Sequence, residues 1–314
     1  MNKSTRIPPI TPLRFIPANK ELPEGMNTWP FDQGFFYQHI KKYFQQKANY
    51  NQKFTLKDKV VVYCDSLAPL IDIYIVDDNG AWVADVATSL VYVAAIVGNT
   101  DSYYGQQYYS FAKDFTFEGL TLPEGFYFVV IKTKYAGDAE PDVDTHFVSE
   151  CIHVKASWPT TALIQYANDI NNYDVIFEAG GFLFVPWQFR AEMIIDEDPA
   201  SSDVVFENQN YELESLQSVP YRVAELIVGG AGVPTWVLDK INRILACTTF
   251  AIDNVQYKKE VDAKWTFKKA ENSALKSGRI MLRDNPDTPA WEFNNGDTPD
   301  YFSIHDVTYD STYD

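Results

Sequence analysis

The sequence predicts a mainly β protein: two antiparallel β-sandwich-like domains, the second with one amphipathic helix, plus extended N- and C-terminal arms. Three observations point there. Short runs of alternating apolar and polar residues, bounded by turn residues, recur along most of the chain, as in antiparallel sheets with one buried face. Aromatic residues make up 15% of the 314 residues, and such residues suit half-buried pleated surfaces. A single segment, around residue 240, has helical spacing.

Residues 1–33 carry Pro8, Pro9, Pro12, Pro17, Pro23 and Pro30. Proline fixes φ and lacks a donor, so this arm is neither helix nor central strand. It is expected to run extended, anchored by Ile10, Leu13, Phe15 and Ile16, along its own domain or a neighbouring subunit. Residues 34–157 read as the first sandwich. Phe35–Gln46 fits a short helix or a strand. In Lys53–Asp65, residues Phe54, Leu56, Val60, Val62 and Cys64 form an inward set. Ile71–Val76 leads through Asp77-Asp78-Asn79-Gly80 into Ala81–Val86, and Asn-Gly between apolar runs signals a hairpin. Strands follow at Ser89–Val97, Tyr108–Phe117, Gly125–Tyr135 and His146–Lys155.

Trp158-Pro159 marks the boundary to a second β-rich domain, residues 158–284. Ala162–Phe177 and Gly180–Ile195 restart the strand pattern, with a turn at Gly180-Gly181. Pro234 fits the first turn of a helix over 234–247, where its missing donor costs nothing. Val237, Leu238, Ile241, Ile244 and Leu245 make one apolar stripe, with Asp239, Lys240, Asn242 and Arg243 opposite. Strands return at Thr249–Ile252, Val255–Lys259 after a turn at Asp253-Asn254, Ala263–Lys268 and Arg279–Arg283. Residues 285–314 form an acidic arm without Lys or Arg. Its aromatics, among them Trp291, Phe293, Tyr301 and Phe302, distinguish it from a disordered tail and suit docking in cis or onto another subunit.

The chain has 43 acidic and 26 basic residues and a net charge of −17. Its basic residues read as scattered, whereas phosphate binding requires them clustered. The charge points away from sequence-specific nucleic-acid binding and is compatible with nucleic acid passing without sticking. Cys64, Cys151 and Cys247 are too far apart and odd in number for a disulfide framework. The N-terminus lacks the apolar stretch of a secretion signal, and no apolar run approaches a membrane span. The reading is a soluble protein made in a reducing cytoplasm, without a membrane partner.

Chemical motifs are weak throughout. Gly229-Gly230-Ala231-Gly232 resembles a nucleotide loop, but Val233-Pro234-Thr235 follows where a P-loop has Gly-Lys-Ser/Thr. It reads as a tight structural turn. Asp138, Glu140, Asp142 and Asp144 alternate as in calcium loops, yet Val143 stands where glycine is needed and Ser149 where glutamate is. The default is a solvated acidic loop, with calcium as the alternative. His146, Cys151 and His153 lack a fourth zinc partner, and His39 and His305 are isolated. Neither a nucleophile elbow nor a metal-hydrolase motif occurs. Trp82, Trp158, Trp187, Trp236, Trp265 and Trp291 read as core and interface residues before a sugar platform. The expectation is a non-enzyme, with no catalytic, cofactor-binding or metal residue and no cofactor.

Several phrases of the second half carry a family likeness. They are Ile164-Gln165-Tyr166 with Asn168, Asp174-Val175-Ile176-Phe177, Leu226-Ile227-Val228-Gly229-Gly230, Val233-Pro234 with Trp236, Leu238–Leu245, Ile252–Tyr257, and Lys264-Trp265 with the strand Arg279–Arg283. Phe54-Thr55-Leu56 and Asp72–Val76 echo them in the first half. In these the chain resembles virion proteins of crAss-like and related tailed bacteriophages infecting Bacteroidetes. The resemblance implies a homo-oligomeric ring in the tail or head–tail connector of the virion, assembled by head-to-tail contacts. Its neighbours would be the portal, adjacent ring or tail hub subunits, and genomic DNA would pass through as a non-specific neighbour. A receptor- or carbohydrate-binding tail module is the alternative.

Overall fold

The structure is a computed structural model that describes residues 5–17, 50–66, 68, 70–91, 94–101, 106–134, 146–169, 187–207, 213–260, 262–269 and 275–284. Over 94–101, 106–108, 134, 202–221 and 231 it describes the backbone. The readings at Phe35–Gln46, Gly180-Gly181, Asp138–Asp144, Trp291, His39, His305 and the 285–314 arm fall outside these residues. The mainly β, sandwich-like class predicted from the sequence is what the chain adopts.

The first half is a two-sheet sandwich. One sheet has the order β1 (Thr5–Arg6), β4 (Val60–Ser66), β8 (Gln106–Phe115), β7 (Ala94–Asp101), all antiparallel. Opposite lie β5 (Leu70–Asp77), β6 (Trp82–Val91), β9 (Gly125–Lys134), β10 (His146–Ser149), β11 (Ile152–Lys155), β3 (Gln52–Thr55) and β2 (Phe15–Pro17). The expected inward set holds: Phe54, Val60, Val62 and Cys64 are in the core between the sheets, and Leu56 packs against it. Alternation told only half of β4. Its other face, Val61 and Tyr63, is buried in the second core, so the strand is buried at every position.

The hairpin at Asn79-Gly80 forms as predicted. Gly80 takes φ 82, and the Asp77 carboxylate accepts from the backbone of Asn79 and Ala81 at 2.9 and 2.8 Å. Its return strand does not stop at Val86. It continues through register irregularities to Val91, with Ser89 at φ 52 donating its N–H to Asp72 at 2.6 Å. The single strand expected over His146–Lys155 is two strands, because at Glu150 the backbone N–H turns to Arg14 O at 2.8 Å.

In the second half the sheet closes on itself. β12 (Thr161–Ala167) pairs with β15 (Thr249–Ile252), then come β16 (Val255–Lys259), β18 (Lys276–Asp284), β14 (Leu213–Val233) and β13 (Trp187–Glu207), which pairs back with β12. A barrel of six antiparallel strands results, and a barrel this small is filled by inward side chains. Ile164, Phe189, Leu226, Phe250, Ile280 and Leu282 are among them. β17 (Thr266–Lys269) hangs on one end of β18. The sheet runs on across Trp158-Pro159, since β3 pairs parallel with β11 and meets β13 at Lys53–Arg190. There Arg190 donates to both oxygens of Asp58, at 2.6 and 2.8 Å.

The helix, α1, spans Thr235–Ile244. Pro234 is its N-cap, with φ −60 and ψ 148, one residue before the expected place in the first turn. The end tightens through Ala246 N–H to Arg243 O and Cys247 N–H to Ile244 O, as helix termini often do. All five stripe residues are buried in the barrel core, a gross gain on the order of 10 kcal/mol before ordering entropy. Lys240 departs from the pattern. Placed by periodicity on the polar side, it is 4% exposed, because the N-terminal arm covers it.

Candidate assembly interface

Two features of the barrel face outward, each with strand edges to which no further strand pairs among the described residues. The first is the continuation of β13 and β14. β14 leaves its other neighbour, β18, at Val223, and β13 leaves β12 at Glu192. Among the described residues, Pro199–Glu207 then pair only with Leu213–Arg222, through a bulge between Val204 and Val205. At about 3.3 Å per residue this two-stranded ribbon is on the order of 30 Å long. Pro199 and Pro220 are admitted because each strand of a ribbon is also an edge. At its base Glu197 accepts from the Tyr257 hydroxyl and faces Arg222 at 3.5 Å. From Asp196 to Tyr221 the sequence has seven acidic residues and no basic one.

The second feature is β17 and the residues leading into it. All four of its residues are exposed. Phe267 is 54% exposed and stacks on Trp265 at 5.7 Å with an interplanar angle of 5°. The Trp265 indole donates to Asn242 of α1 at 2.8 Å, and its ring lies where a side chain at Gly278 would be, the built Cβ only 2.9 Å from Cζ3. Lys264, Lys268 and Lys269 flank the pair, and Lys269 lies directly across from Lys276. Like charges in that position repel. Basic residues that read as scattered in the sequence meet here: Lys264, Lys268 and Lys269 join Lys276 and Arg279 of β18, whereas Lys258, Lys259 and Arg283 lie toward its other end.

The arm is secured to its own subunit over its described part. β1 pairs with β4 and β2 with β10. Between them Ile10 enters the barrel core and Leu13 the sandwich core, as their anchoring role required. The Tyr166 hydroxyl donates to Ile10 O at 2.8 Å, and Lys240 Nζ donates to the carbonyls of Thr11 and Pro12. Arg14 lies 3.5 Å over the Trp236 ring and reaches Glu150 through Nε and Nη2, both at 2.7 Å. Burial pushes Lys240 down to about 8 against the pull of Glu150. Burial raises Glu150 while Arg14 and Lys240 oppose it.

The other residues singled out by the sequence have local roles. Gly229 at φ +69 and Gly232 at φ +96 form the irregularity that ends β14. A Cβ at Gly229 would lie 2.8 Å from Val233 Cγ1, and one at Gly232 2.9 Å from Leu275 Cβ, so this is a packed turn. His146 is buried on β10. His153 stacks on Phe126 at 4.1 Å and meets Trp158 edge-on at 4.9 Å. Its pKa is lowered by burial and then by Lys155 and Lys53. Among the described residues no three His, Cys, Asp or Glu side chains converge as metal ligands, and no helix is long and apolar enough to cross a membrane. Trp187 is wholly buried, while Trp82 is 48% exposed on β6. The ribbon was missed in the sequence because its prolines and serines interrupt the alternation. The acidic run at Asp196-Glu197-Asp198 was the available signal.

Compared with known proteins, the chain matches no family model, and no curated protein matches it.

Proposed function

We propose that this chain is a non-enzymatic structural subunit of a tailed-bacteriophage virion, forming a closed ring in the tail or portal-proximal connector. The observation that carries the reading is the ribbon beyond Pro199. A lone two-stranded hairpin is marginal in water, and among the described residues no third strand pairs with this one. A partner that covers it supplies the missing contacts. An asymmetric projection meeting a different surface on the next copy gives a heterologous contact, which closes into a ring when the rotation allows. The likeness to phage virion proteins supplies the setting, with portal, adjacent ring or hub subunits as neighbours. The −17 charge suits a wall along which DNA slides without binding. A sugar-stacking module has less support, since Trp187 lies in the barrel core, Trp236 under Arg14, and Trp158 beside Lys53 and Lys155.

The test is to locate the chain in intact particles. Antibody or gold labelling of a tagged chain is expected at the head–tail junction or tail as a ring. Absence from purified virions overturns the proposal, and labelling of peripheral fibres favours the receptor-binding reading.

A further inference from the structure

We infer that the acidic ribbon of one subunit docks on the lysine- and aromatic-bearing edge strand β17 of a second copy of this chain. The inference rests on the ring reading and names its two contacting surfaces. Charge is the first argument. The ribbon carries Asp203, Glu207 and Glu214 beyond its exposed base of Asp196 and Asp198, with no basic residue before Arg222. β17 and its approach carry Lys264, Lys268 and Lys269 with no acidic residue from Ala263 to Lys269. Lys269 and Lys276 face each other across the strand pair, a repulsion that an anionic partner relieves.

Geometry is the second argument. β17 pairs with β18 at Lys276–Arg279, whereas β14 departs from β18 at Arg283. These positions are roughly 13–23 Å apart along β18, toward opposite ends of the barrel. A ribbon that continues β14 therefore leads away from its own β17. Among the described residues β17 pairs with β18 alone, and the complementary surfaces can meet between successive copies, head to tail.

Chemistry of the edge is the third. Lysines on an edge strand also discourage random pairing, which accounts for Lys268 and Lys269 alone. It leaves unexplained the exposed Phe267 ring, stacked on the part-buried Trp265. A strand added to β17 would gain ladder hydrogen bonds and cover the Phe267 ring. An exposed aromatic and basic strand also suits single-stranded nucleic acid, but the ribbon provides an anionic partner of the right form within the same chain.

The experiment uses the full chain. Native mass spectrometry and sedimentation are run on wild type, D203K/E207K/E214K, K264E/K268E/K269E and the two triple variants mixed one to one. Each variant alone is expected to weaken assembly at least about tenfold, because like charges now meet at the contact. The mixture is expected to restore it. Far-UV circular dichroism checks that each variant folds. For any that does not, zero-length carboxyl–amine crosslinking of mixed light and heavy wild-type protein replaces it, and Glu207 or Glu214 is expected to join Lys268 or Lys269 between isotopes. Wild-type rings with both variants assembling normally, or with crosslinks elsewhere, overturn the docking while leaving the ring reading intact. A wild type that stays monomeric overturns both. Binding of a fluorescent single-stranded oligonucleotide that K264E/K268E/K269E abolishes, with assembly unchanged, also overturns the docking.

Discussion

Replacing Glu150 by Gln removes one charge from the buried contact that holds the N-terminal arm. The Glu150 side chain is 1% exposed and Arg14's is 33%. Glu150 accepts the Arg14 backbone N–H at 3.2 Å and two guanidinium bonds at 2.7 Å. A glutamine of the same size turns an amide donor toward guanidinium donors. Breaking a buried pair costs about 3–5 kcal/mol, and the part-exposed Arg14 recovers some hydration, leaving roughly 2–4 kcal/mol. For a chain of this size that lowers Tm by roughly 3–6 °C. Lys240 gives the pH signature. Its pKa falls from 10.5 to about 8, so between those values the unfolded chain binds more protons and stability rises with pH. Without the carboxylate of Glu150 that rise begins at lower pH. The opposite contribution of Glu150 disappears as well: its raised pKa makes wild-type stability fall as pH rises from 4.5 through the folded value. Calorimetry on wild type, E150Q, K240M and E150Q/K240M checks this, with a coupling of about 1–3 kcal/mol expected between the two sites. A Tm change under about 1 °C for E150Q, or strictly additive effects, refutes a coupled buried cluster.

Replacing residues 200–221 by Asn-Gly, between Pro199 and Arg222, removes the free ribbon. Monomer Tm should stay within a few degrees, since among the described residues no third strand pairs with the excised ones, while assembly is lost in sedimentation. Gly232→Ala should cost about 1–3 kcal/mol in urea unfolding, from φ +96 and the approach to Leu275 Cβ. Gly230→Ala, with nothing within 4 Å of its Cβ, should cost far less. The thiols should separate under alkylation at pH 8. Burial raises Cys64 and pushes Cys247 up to about 12, so Cys151, which is part-exposed, should label first and the other two only on unfolding.

What could be read in advance follows from how local the physics is. The turn at Asp253-Asn254 declared itself, and both residues take positive φ, 48 and 68. The helix stripe did too, since five aliphatic residues at helical spacing must face one core. Lys240 could not be read, because its burial depends on carbonyls 228 and 229 residues away. Barrel closure was equally hidden: nothing local in Ile164 says that its strand pairs with Phe189 on one side and Ile252 on the other. The proposed contact was not legible. Lys264, Lys268 and Lys269 read as scattered basic residues, and only the pairing of β17 with β18 puts Lys268 and Lys269 on an exposed edge.

The central claim is that subunits close head to tail into a ring, and native mass spectrometry of the purified full chain tests it most directly. The account predicts one dominant species at a fixed multiple of 35.8 kDa, three or more, unchanged as protein concentration rises. A mass confined to the 35.8 kDa monomer, or an open ladder growing without limit, contradicts it.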